Sequence, residues 1–215
     1  MCSLNKKKIL LVSEWYSPAY KAGGPIQSIV GMAELLSEHA KVWVIAGSKD
    51  LGEIKHLDVQ RDSWLSFAEN IQVRYSDPKE ISFRFWKSVF DEIEPDWLHL
   101  NSLYSLRFSL TPLLLSRLKP KTKVVLAPRG MLGKAARRIK PGKKALFLSL
   151  SKSMGLFSSI GWHASTYLES REIKEFIYQA QVGIAQDLPV PLPQDNPARS
   201  SERWRVVIIG RIHRV

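Results

Sequence analysis

Short apolar runs alternate along this chain with longer amphipathic stretches. Ile9–Val12, Val42–Ala46, Ile71–Tyr75, Asp96–Leu100 and Lys123–Ala127 read as strands. Between them, Ile26–Ser37, Ile81–Ile93 and Leu106–Leu118 carry apolar residues at helical spacing. The second runs through Phe85, Val89, Phe90 and Ile93 and stops before Pro95, and the third has Pro112 near its first turn. A long helix is expected from about Gly133 to Lys152, with a break at Pro141-Gly142. A short strand Gly161–Ala164, a helix Leu168–Ala180 and a short strand Val182–Ala185 follow. Residues 48–70 are polar and irregular, with room for a short helix. Apolar strands alternating with helices predict an α/β fold: a Rossmann-like, doubly wound, mostly parallel sheet with helices on both faces.

Ligands of such sheets sit beyond the carboxyl ends of the strands. The loops after the first, fourth and fifth predicted strands should therefore share one rim. They are the Gly23-Gly24-Pro25 loop, Asn101–Ser105 and Arg129–Gly133. Adjacent glycines at a helix entrance let backbone N–H groups approach an anion, and the helix N-terminus adds partial positive charge. Gly23 and Gly24 thus suit a phosphate-bearing small molecule, or else form a tight turn without a ligand. The loop has no G-x-G-x-x-G pattern and no Walker lysine, which disfavours a simple dinucleotide site or a P-loop. Arg129 follows Pro128 at a strand end and suits an acceptor phosphate or a pair of hydroxyls; as a surface arginine it would do neither. Glu14 is placed to hold an acceptor hydroxyl or to stand in solvent. His99, inside an apolar strand, reads more readily as a satisfied core histidine than as a catalyst. Glu172 lies in a first helical turn, where a carboxylate helps the dipole without any ligand.

Composition narrows the picture. The chain has 215 residues, 45% of them hydrophobic, enough for one well-buried domain. Its single cysteine, Cys2, excludes an internal disulfide framework and fits a reducing compartment. No run of about twenty apolar residues is present, and the start does not read as a signal peptide, so a cytoplasmic protein is expected. The net charge of +12 points to an anionic partner. Lys134, Arg137, Arg138, Lys140, Lys143 and Lys144 fall in one segment with no acid among them, and Leu146, Phe147, Leu148 and Leu150 follow. This reads as a solvated helix face or as a patch resting on anionic lipid headgroups at the inner membrane face. No cluster has metal-ligand spacing, so neither a metal nor a cofactor is expected. No nucleic-acid recognition motif is visible, which disfavours that partner.

Residues 1–185 form the expected domain. Pro189, Pro191, Pro193 and Pro197 make 186–203 a Pro-rich linker. Trp204–Arg211 opens a new apolar strand, and the sequence ends at Val215. Residues 204–215 are read as the first strand of a truncated second domain, the alternative being a last strand of the first sheet.

The order of motifs resembles the N-terminal half of a retaining glycosyltransferase of family 4, with the two-domain GT-B architecture. The likeness rests on Gly23-Gly24-Pro25 leading into Ser28-Ile29-Val30, on Pro95–Ser102, on Ala127–Leu132, and on His163–Glu172, which is similar to the family's H-A-T-S-E-x-E segment. Ile208–His213 resembles the first strand of the C-terminal domain. The resemblance implies a domain that binds a glycan or lipid-linked acceptor, beside a domain that binds a nucleotide-sugar. It implies that Gly23, Gly24 and Arg211 contact the donor diphosphate, and that Glu14, Asn101 and Arg129 face the acceptor. It implies transfer with retention and no metal, because basic groups and backbone amides stabilise the departing diphosphate. Two departures stand out. The family's paired glutamates would lie beyond Val215, so the chain alone is expected to be inactive. Many members also carry a histidine where this chain has Asn101, which leaves His99 and Asn101 as weak catalytic candidates. A nucleotide-sugar epimerase of similar plan, or a basic nucleic-acid or anion-binding module, are the alternatives.

Overall fold

The computed structural model describes residues 6–138 and 141–187. Its elements are β1 (Lys7–Val12), α1 (Gly24–Ser37), β2 (Ala40–Gly47), β3 (Leu65–Ala68), β4 (Ile71–Ser76), α2 (Phe83–Ile93), β5 (Trp97–Leu100), α3 (Thr111–Ser116), β6 (Lys123–Leu126), α4 (Lys134–Arg138), α5 (Pro141–Ser153), β7 (Gly161–Ala164), α6 (Tyr167–Phe176) and β8 (Gln181–Ile184). The strands form one sheet in the order β3-β4-β2-β1-β5-β6-β7-β8. Every pairing is parallel except β3 with β4. This is the expected Rossmann-like α/β fold.

Strand periodicity sorts the core into two layers. Leu10, Val12, Ile45, Leu98, Leu100, Val124, Leu126, Trp162 and Ala164 share a cluster with Trp86, Val89 and Phe90 of α2, Leu113 and Leu115 of α3, and Ile173 of α6. The residues between them, Leu11, Val42, Val44, Ala46, Ile71 and Val73, pack with Ile26, Ile29, Val30 and Ala33 of α1. Each fully buried aliphatic side chain contributes about 2 kcal/mol. On β5 and β7 the same alternation turns His99 and His163 away from the larger cluster, onto the α1 side of the sheet. There a cleft of about 740 Å³ opens between Met32 and Leu35 of α1 and residues of β7 and β8, and both histidines line it.

Two elements depart from expectation. Within 48–70 the structure has no helix; Leu65–Ala68 pairs antiparallel with β4 instead. Its turn is made by Glu69 and Asn70, the latter at φ +60°, a conformation asparagine tolerates. The helix expected over Leu106–Leu118 begins as a π-helical turn, Leu106–Leu110, before α3. Pro112 ends that turn: Leu110 and Thr111 donate five residues back, to Ser105 and Leu106, but Pro112 has no N–H for the carbonyl of Arg107, which accepts from Trp86 Nε1 at 2.7 Å. The linker 186–203 beyond Asp187 and the strand 204–215 lie outside the described residues, as does Arg211.

Candidate functional site

The carboxyl ends of β1, β5 and β6 lie side by side because those strands are neighbours in one parallel sheet. Asn101, immediately after β5, ties them together. Its Nδ2 donates to the Val12 carbonyl at the end of β1 at 3.1 Å. Its Oδ1 accepts from Arg129, after β6, at 2.9 Å from Nη2 and 3.3 Å from Nε. The backbone repeats the link: Asn101 N–H donates to Val12 and Ala127 N–H to Leu100. Asn101 and Arg129, expected to face one groove, are thus in direct contact.

The same amide begins a part-buried chain of hydrogen bonds whose direction can be read from its two ends. Arginine only donates and the Val12 carbonyl only accepts, so the amide orientation of Asn101 is determined. At the far end His163 Nε2 lies 2.9 Å from the Ala185 carbonyl, so that nitrogen carries the proton. His163 Nδ1 then accepts from His99 Nε2–H at 3.2 Å. His99 Nδ1 in turn accepts from Asn101 Nδ2 at 3.1 Å. A second proton on His99 would set an N–H against the Asn101 amide. Burial, with His163 and Arg129 adding to it, pushes the His99 imidazole down to about 3. His99 therefore stays neutral at physiological pH with both ring nitrogens engaged, and its chemistry is orientation of Asn101.

Arg129 sits at φ +52°, followed by Gly130 at φ +72°. Glu169 holds this turn in place. It is 5% exposed; one carboxylate oxygen accepts from Gly130 N–H at 2.7 Å, and the other from the N–H and the hydroxyl of Ser165, both at 2.8 Å. Thr166 caps the same helix by accepting from Glu169 N–H at 3.1 Å. Glu169 was not singled out from sequence. Its signals were the Thr-x-x-Glu spacing of a capping box and its place within the His163–Glu172 stretch. Glu172 lies close to Gly133, where a Cβ would come within 3.3 Å of its carboxylate.

The long loop after β1 is pinned by a second carboxylate that sequence reading missed. Asp50 accepts from the N–H groups of Tyr20 at 2.9 Å, Lys21 at 3.1 Å and Leu51 at 2.7 Å. Burial raises its carboxyl, but those donors and the Lys21 charge outweigh it and hold the group below the usual range. Its signal was the turn sequence Asp50-Leu51-Gly52 after a strand. Glu14, Trp15, Lys49, Asp50, Glu53 and Tyr104 line a groove of about 600 Å³, to which Asn101 and Arg129 do not contribute. Gly23, at φ +71°, is the N-cap of α1, a backbone that favours glycine. Gly24 is exposed, and a Cβ added there would meet nothing within 4 Å.

Of the basic segment, Lys134, Arg138 and Lys143 are exposed. Lys144 folds back: its Nζ donates to the Ala136 carbonyl at 2.6 Å and lies 5.1 Å from the centre of the Tyr104 ring. The side chain of Arg137 and the whole of Lys140 fall outside the described residues. Among the described residues no group of three His, Cys, Asp or Glu could hold a metal, and no helix is long and apolar enough to cross a membrane.

Fold and rim together define a Rossmann-like α/β domain with a hydrogen-bonded rim at the carboxyl ends of its strands. No family model matches the chain, and no curated protein matches it. Among solved structures it is similar to dTDP-glucose 4,6-dehydratase from Bacillus anthracis str. Ames in complex with NAD, at 14% identity and a TM-score of 0.44, over 73% of this chain. The chain spans about half of that protein, 54% of its length.

Proposed function

We propose that this chain is the acceptor-binding half of a retaining glycosyltransferase of the GT-B plan, moving a sugar from a nucleotide-sugar to a glycan or lipid-linked acceptor. The observation that carries the reading is the bonded rim, in which Asn101 joins the end of β1 to Arg129 after β6. Parallel sheets bind ligands on that edge, and rigidly held donors suit sugar hydroxyls and phosphates. Glu14 and Arg129 bind the acceptor. Gly24 offers its N–H to the donor diphosphate, whereas the Gly23 N–H, also expected to do so, donates to the Tyr20 carbonyl at 2.9 Å and shapes the turn instead. Gly24 supports this role, because packing in the free chain does not require a glycine there. His99 orients Asn101 and transfers no proton. Lys134, Arg138 and Lys143 rest on anionic lipid and bring the groove to a lipid-linked acceptor. The transfer calls for no metal.

The test offers the chain a panel of soluble and lipid-linked oligosaccharides, with nucleotide-sugars in parallel. Saturable sugar binding that weakens about tenfold, ~1.4 kcal/mol, in Glu14→Ala is expected. Epimerisation of a nucleotide-sugar, with no binding of acceptor glycans, would replace this reading with the epimerase.

A further inference from the structure

Arg129 is unusually constrained for a residue on a turn. Its left-handed backbone costs about 1 kcal/mol relative to an ordinary conformation. Its side chain is only 9% exposed. The inner edge of the guanidinium, Nε and Nη2, is anchored on Oδ1 of Asn101, whose Nδ2 donates in turn to the Val12 carbonyl and His99 Nδ1. The plane of the guanidinium is therefore set before any ligand arrives. The charge is balanced by one carboxylate: Nη1 donates to Oδ1 of Asp187, whose side chain is 38% exposed. Asp187 lies just past β8, on the stretch that the sequence marks as a linker.

We propose that the outer face of the Arg129 guanidinium is a phosphate-binding site, and that Asp187 is its built-in competitor. The inventory of donors supports this. Arginine has five N–H bonds. Asn101 takes two and Asp187 one, and the remaining two have no partner among the described residues. Asp187 engages through one oxygen. A phosphate carries more charge and can take two donors at once, so it makes better use of a preorganised fork than this carboxylate does. The exchange moves no covalent bond. It releases Asp187, which also lines the cleft beside His99 and His163, so occupancy of this site is coupled to the residues just past β8. The proposal rests on the acceptor-domain reading only for the expectation that the phosphate belongs to a sugar substrate. Phosphate chemistry alone does not distinguish a phosphorylated acceptor from a nucleotide diphosphate.

Calorimetric titration of the chain separates these sources, with inorganic phosphate, glucose 1-phosphate and uridine diphosphate as the three probes. Asp187→Asn is expected to tighten phosphate binding about fivefold, the effect of removing a competing ion pair worth roughly 1 kcal/mol. Arg129→Lys keeps the charge but loses the fork, and is expected to weaken binding at least about tenfold. Glu175→Gln, an exposed carboxylate elsewhere, is expected to change nothing. Preference for glucose 1-phosphate assigns the site to an acceptor, and preference for uridine diphosphate to the donor; either supports the site. Equal affinity of Asp187→Asn and the native chain, or the same gain in Glu175→Gln, would overturn it. Neutral glycans binding where no phosphate binds would also overturn it and leave the acceptor reading standing. Phosphate binding that follows the expected pattern without any glycan binding would sink the acceptor reading and keep the site.

Discussion

The strand-end rim and the stretch from Lys134 to Lys144 are both densely polar, yet they are built in opposite ways. At the rim each polar atom is positioned by another. Ala185 holds His163, His163 orders His99, His99 orders Asn101, and Asn101 holds Arg129. In the basic stretch Lys134, Arg138 and Lys143 stand in water. Lys144, by contrast, is drawn back onto the fold. Rim chemistry therefore depends on geometry, and one substitution should disturb several residues at once. The basic face depends on summed charge, and each residue there should act nearly independently.

Asn101→Leu should have the largest effect. It leaves His99 Nδ1 without its donor and Arg129 Nε and Nη2 without their acceptor, while Val12 O keeps the residue-101 backbone N–H and Arg129 keeps Asp187, and a loss of about 2–3 kcal/mol in denaturant unfolding is expected. A loss below about 1 kcal/mol would mean that the chain of bonds is not a unit. The pH dependence of stability comes next. The unfolded chain protonates His99 below about pH 6.5, whereas the folded chain does so only near its depressed value of about 3. The stability contributed by a neutral His99 is thus fully present above pH 6.5 and is lost as pH falls through the window down to about 3. Urea midpoints measured across that window should decline, and His99→Gln should flatten the decline. Glu169→Ala removes the acceptor shared by Gly130 and Ser165 and should cost about 2 kcal/mol. The smallest effect on stability is expected from the double variant Lys134→Glu, Lys143→Glu, within about 0.5 kcal/mol. Its effect should fall on vesicle binding instead, which loses roughly 1 kcal/mol per lysine on anionic lipid and nothing on neutral lipid. Equal binding of the native chain to both lipids would remove the membrane role.

The sheet was legible because its buried strands are uninterrupted apolar runs, and the rim because parallel topology puts their loops on one edge. Edge strand β3 was not legible, having only Leu65 and Phe67 as bulky apolar residues in a polar stretch. Asn101 and Arg129 each stood out at a strand end. Their contact spans 28 positions and depends on β5 and β6 being neighbours. Glu169 and Asp50 were hidden for a common reason. Each reads locally as a cap or turn residue, while its decisive partners, Gly130 for one and Tyr20 for the other, lie far away in sequence. The clustering of basic residues was plain, but composition could not show that Lys144 is committed to Ala136 and Tyr104.

The most direct measurement is backbone amide mapping by NMR during titration with an acceptor oligosaccharide and, separately, a nucleotide-sugar. The account predicts shifts at Glu14, Asn101, Arg129 and Gly130 with the first, and at Gly23 and Gly24 with the second. Shifts confined to the cleft beside His163 and β8, with the carboxyl edge silent in both titrations, would contradict it.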